Sequence, residues 1–132
     1  MQTRLSFLRR VLLLDAVASG AMGVALLALA SVLAPILDLP QALLREAGIV
    51  LLPFAAFVGC LASRETPWRA GVWAVIVMNA IWVIDSVVLL FASSAAPNAL
   101  GFAFVIVQAV VVGIFAELQY IGLRKSGVAI AS

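Results

Sequence analysis

Residues 11–34 read VLLLDAVASGAMGVALLALASVLA, 24 consecutive positions with one charged side chain, Asp15. About 20 helical residues cross a hydrocarbon core of ~30 Å, so this stretch is long enough to be a membrane span. Working outward, the same pattern recurs at about 41–63, 70–91 and 99–122. The first run stops at Pro35 and the Asp38-Leu39-Pro40 turn. The second carries Arg45 and Glu46 in its first two turns, the third lies between Arg69 and Ser93-Ser94, and the fourth lies between Pro97-Asn98 and Arg124-Lys125. Continuous apolar runs of this length are helical spans and not the alternating strands of a closed barrel. The fold class is all-α, with four transmembrane helices.

Composition agrees. Of 132 residues, 66% are apolar and 11% charged, against about half and a quarter in soluble domains. Histidine is absent and Cys60 is the single cysteine. These counts exclude His-based zinc sites, Ser-His-Asp and Cys-His catalysis, and intrachain disulfides. A net charge of +2 leaves no basic stripe for nucleic acid. Neither a phosphate-binding glycine loop nor a carboxylate cluster suited to a metal is visible, and no cofactor is implied.

Basic residues set the expected orientation. Arg4, Arg9, Arg10, Arg64, Arg69, Arg124 and Lys125 fall on one side of the four spans, and Arg45 alone on the other. By the positive-inside rule both termini are cytoplasmic. Trp68, Trp73 and Tyr120 mark the same face as an aromatic belt. Ala28-Leu29-Ala30 resembles a signal cleavage site, but the preceding apolar run is too long and contains Asp15, so the first helix is read as retained. Connections of roughly six residues make successive helices antiparallel neighbours in an up-down-up-down bundle, with the first and fourth also touching. Residues 1–125 form a single domain and 126–132 a short flexible tail.

Charges inside spans need an account. Asp15, Ser19 and Gly23 share one helical row, and Ala109, Gly113 and Glu117 another at the same spacing. Small residues at fourfold spacing let membrane helices approach closely, so the rows are expected to mate: Gly23 on Ala109, Ser19 on Gly113, Asp15 on Glu117. The two acids would then share a proton, or each would pair with a basic neighbour, Arg10 for Asp15 and Arg124 for Glu117. Near the midplane, Asn79 and Gln108 are expected to pair as interhelical amides. Towards the other face, Asp85 is expected to meet Arg45, with Glu46 and Ser86 close by. Trp82 either packs or walls a cavity with Asn79, Asp85 and Ser86. Pro53 frees the carbonyl of Ile49 and is expected to kink the second helix. Cys60, among Gly59 and Ala62, is expected to be a buried, inert thiol.

The blocks Asn79-Ala80-Ile81-Trp82-Val83-Ile84-Asp85-Ser86 and Ala116-Glu117-Leu118-Gln119-Tyr120-Ile121-Gly122-Leu123-Arg124 resemble those of small uncharacterised four-helix proteins of bacterial inner membranes. That resemblance implies a compartment and no activity. Small multidrug transporters are similar in being short four-helix proteins with one acid in helix one, to which Asp15 corresponds in helix and depth. They use glutamate there, whereas this chain is longer, bears acids on helices three and four, and has a clear charge bias. The reading is a non-enzymatic accessory or small-ligand-binding bundle of the inner membrane. Its partners are the lipid bilayer and either a second copy or a larger membrane complex. The alternatives are a proton- or ion-coupled transporter using intramembrane carboxylates, and a membrane enzyme or subunit acting on lipid or quinone.

Overall fold

A computed structural model describes residues 2–91 and 96–125, with side chains from residue 6 onward; the expected tail, 126–132, lies outside the described residues. Four helices follow one another: α1 Gln2–Leu37, α2 Gln41–Ser63, α3 Arg69–Phe91 and α4 Ala99–Lys125. Each is long and apolar enough to span a membrane.

Helix α1, at 36 residues, is about 54 Å long and exceeds the expected span at both ends. It begins earlier because its first turns are used: Leu8 is fully buried and Arg9 Nε donates to the Ala62 carbonyl of α2 at 3.1 Å. It also passes the expected stop at Pro35. In the final turn that proline forfeits one bond, to the Ser31 carbonyl. The true end is at Asp38, whose φ of 55° lies in the left-handed region that Asp tolerates better than most residues. Leu39 N–H then closes onto the Ala34 carbonyl at 3.1 Å, a six-to-one helix stop.

The inward stripe of α1 runs Leu8, Leu12, Asp15, Ser19, Met22, Leu26, Ala30, Leu33 and Leu37, all buried or half-buried. Its steps of four and three residues are the spacing of a helix packed along a bundle axis. Leu8 and Leu12 join Val58, Leu61, Ala62, Val72, Val75, Ile76 and Leu123 in an apolar cluster at the basic end. Leu26, Ala30 and Leu37 join Leu39, Leu44, Leu51 and Val105 in a second cluster towards the opposite end. Asp15 and Ser19 fall between the two.

Two of the three consecutive helix pairs pack closely. α1 packs broadly on α2 and on α4, and α4 on α3, whereas α2 and α3 barely meet. A short connection was expected to make α2 and α3 close neighbours; instead their shared contacts lie in the apolar cluster at the basic end. The difference is backbone approach. Small residues of α1 and α2 interleave, Gly20 with Ala55 and Ala16 with Gly59, and a Cβ at Gly48 would stand 2.9 Å from the Gly23 carbonyl oxygen. Gly23 therefore packs on α2 and not on Ala109 of α4. Gly113 faces Val83 of α3, so the expected α1–α4 row of small residues does not form, although Ala109 is buried.

The α1–α4 contact is fastened at its two ends. Gly122 packs on Leu8, and Gly101 lies so close to the Leu37 carbonyl that any Cβ would collide with it. Beside that contact Asn98 caps α4, its Oδ1 accepting from Gly101 N–H at 2.8 Å, while its Nδ2 donates to the Ile36 carbonyl at 2.9 Å. Pro53 lies inside an uninterrupted α2, on its exposed side.

Candidate functional site

Asp15 is 1% exposed and Gln119 fully buried. The carboxylate of Asp15 collects three donors. Ser19 Oγ, one turn on, donates to Oδ1 at 3.0 Å. Asn79 Nδ2 of α3 and Gln119 Nε2 of α4 both donate to Oδ2, at 2.8 and 2.6 Å. Asn79 Nδ2 also donates to Gln119 Oε1 at 3.1 Å. Asp15, Asn79 and Gln119 thus close a triangle of hydrogen bonds across three helices. A buried carboxylate is tolerated where fixed donors replace its water, and here side-chain amides and a hydroxyl do so.

Sequence reasoning expected Asp15 to meet Glu117 or Arg10; its partners are instead Ser19, Asn79 and Gln119. Glu117 is exposed, two residues and hence about 200° around α4 from Gln119. The two acids therefore do not meet. Arg124 lies over the Tyr120 ring at 5.8 Å, and Arg10 is exposed; neither forms the ion pair expected of it among the described residues. Gln119 was missed. Its signal was present: 11 residues, three full turns, separate it from Gln108, so the two glutamines share a face that excludes Glu117.

Asn79 and Gln108 do not pair with each other either. Gln108 belongs to a second polar layer on the α3–α4 seam. Trp82 Nε1 donates to Gln108 Oε1 at 2.6 Å, and Gln108 Nε2 donates to Ser86 Oγ and to the Val105 carbonyl, both at 2.9 Å. Ser86 Oγ in turn donates to the Trp82 carbonyl at 2.8 Å. Trp82 is therefore a hydrogen-bonding partner as well as a packing residue. Its indole proton is taken by the Gln108 carbonyl oxygen while the Gln108 NH₂ is taken by Ser86 and Val105, as polar groups in hydrocarbon require.

Asp85 and Arg45 are both exposed, and no ion pair joins them among the described residues. Asp85 therefore lies outside the polar layer formed by its near neighbours Trp82 and Ser86. Cys60, expected to be buried, is exposed. It lines an open groove of about 340 Å³ with Phe57, Leu61, Ser63, Arg64 and Trp68. Trp73 and Tyr120 meet edge-to-face at 5.7 Å near Arg124, so these aromatics do gather at the basic end.

Comparison with protein-family models, with curated proteins and with solved structures finds no match to this chain.

Proposed function

We propose that the chain is a non-enzymatic integral protein of the bacterial inner membrane, an accessory or small-ligand-binding bundle of up-down-up-down topology with cytoplasmic termini. Orientation is argued from the basic residues and the aromatic belt at one end. The observation that carries the function is the closed triangle of Asp15, Asn79 and Gln119. Its polar groups bond to one another within the bundle. Such a group holds α1, α3 and α4 in one arrangement, the commonest use of polar side chains between membrane helices.

A second reading has its own support. A single carboxylate held by donors from α1, α3 and α4 couples whatever binds there to three helices at once, as an ion- or proton-coupled transporter needs. One experiment separates the two. Wild type and Asp15→Asn are purified, compared for folded yield, and reconstituted in proteoliposomes under an imposed proton gradient. The accessory reading expects no proton-coupled flux from either protein. Flux in the wild type that disappears in Asp15→Asn at normal yield overturns it. Orientation is tested separately by placing a lone cysteine at position 96 or 64 in a Cys60→Ser background. A membrane-impermeant thiol reagent added outside whole cells should label position 96 and spare position 64.

A further inference from the structure

We infer that an anionic phospholipid docks in the groove at the basic end of α2, with its phosphate on Arg64 and its acyl carbons over Phe57, Cys60 and Leu61. These three residues are spaced three and four apart, so they share one side of α2, and Ser63 and Arg64 finish the helix on the same lining. Trp68, from the connection to α3, completes it. From Phe57 to Arg64 is about 10 Å along the axis. Within that length the lining passes from carbon to cation, the order in which a lipid presents chain and phosphate.

The groove is preformed. Pro67 is fully buried, and the Trp68 carbonyl accepts from Val72 N–H at 3.0 Å, so the turn into α3 is fixed. Leu61 and Trp68 both close on Gly71, where a Cβ would stand 2.8 Å from Leu61 Cδ2 and 3.0 Å from Trp68 Cε3. Trp68 is nonetheless 57% exposed, an indole placed as aromatic rings at headgroup level are. Beyond this end α2 and α3 barely meet, which leaves the side of the bundle open to a chain.

Charge selects the occupant. Arg64 is exposed, and its guanidinium has no partner among the described residues. Arg9, bonded through Nε to the Ala62 carbonyl, brings a second cation to the same end of α2. Arg69 brings a third at the start of α3. It shares a row with buried Val72 and Ile76, and its Nη1 is buried with no acceptor among the described residues; it acts through its field and not by contact. Glu65 is exposed and pairs with none of them among the described residues. Arginines that no carboxylate neutralises favour an anion, and basic sites between membrane helices take lipid headgroups. The apolar floor favours an anion that carries a hydrocarbon chain. A free phosphate would leave that floor uncovered, and a helix of a second copy would leave Arg64 without a counter-charge. The inference rests on the membrane placement of the helices and is independent of what Asp15 does.

Cys60, the single cysteine of the sequence, lines the groove and reports its occupancy. Protein in a maltoside detergent is titrated with dioctanoyl phosphatidylglycerol, dioctanoyl phosphatidylcholine or inorganic phosphate, and the rate of Cys60 alkylation by N-ethylmaleimide is read. Phosphatidylglycerol should slow the reaction several-fold and saturably, while the other two leave it nearly unchanged. Arg64→Gln should raise the half-saturating concentration about fivefold, the effect of one basic side chain on an anionic lipid. Arg64→Lys should stay near wild type; helical content and folded yield are the controls, and the comparison of lipids needs no variant. Equal protection by phosphatidylcholine, protection by phosphate, or no protection by any of the three overturns the inference. So does a folded Arg64→Gln that responds as the wild type does. Protection that grows with protein concentration and ignores lipid also overturns it, and gives the groove to a second copy.

Discussion

The amide of Gln119 donates to the carboxylate of Asp15 at 2.6 Å, joining positions 104 residues apart in the chain. With Asn79 it makes the end of the sequence a structural partner of its beginning. Asp15→Ala leaves Gln119 Nε2 without its acceptor in a buried site and takes one of the two acceptors of Asn79 Nδ2, which keeps Gln119 Oε1. A loss of about 1–3 kcal/mol is expected, measured by SDS titration of the purified protein. Asp15→Asn should cost much less, because its amide oxygen still accepts from both amides and its NH₂ can donate to Ser19 Oγ.

Gln119 and Glu117 give opposite expectations for neighbouring positions. Gln119→Leu removes a donor to Asp15 and an acceptor for Asn79, and should destabilise by about 1–3 kcal/mol. Glu117→Gln alters an exposed group and should stay within about 0.5 kcal/mol of wild type. Equal losses in the two variants would contradict the assignment of the inward face of α4.

The Trp82–Gln108 bond is testable by a double-mutant cycle. Trp82→Phe and Gln108→Leu, singly and together, should show a coupling of about 0.6 kcal/mol, the average for interhelical hydrogen bonds in membranes. Zero coupling would mean that the two side chains merely sit side by side.

Glycines on α4 should separate by their surroundings. Gly101→Ala drives a methyl into the Leu37 carbonyl and should cost about 1–3 kcal/mol. Gly113→Ala meets Val83 at 3.8 Å, an ordinary contact, and should stay within about 0.5 kcal/mol of wild type. Thermal unfolding in detergent distinguishes them.

Element positions were largely legible in the sequence, and α2 matches its expected span of 41–63. Length and hydropathy read depth well, because depth follows from counting residues along a helix. They read rotation poorly. Lipid-facing side chains are as apolar as buried ones, so no polar face marks which side of α4 points inward. Glu117 and Asp85 were both expected to face a partner within the bundle, and both are exposed. The inward face was recoverable only from the four-and-three spacing of Leu8, Leu12, Asp15, Ser19 and Met22, and from the three-turn separation of Gln108 and Gln119. α1 was read too short because its first turns carry arginines, and one of these, Arg9, is used for a bond to α2.

The same architecture dictates an order of events during synthesis. Asp15 reaches the membrane early, yet Gln119 is made 104 residues later, a delay on the order of 5–20 s at ordinary translation rates. Until Asn79 and then Gln119 are made, the donor that Asp15 has among the described residues is Ser19 of its own helix. The α1–α2 hairpin, with its interleaved small residues, must therefore keep a half-finished protein in place until its last helix arrives.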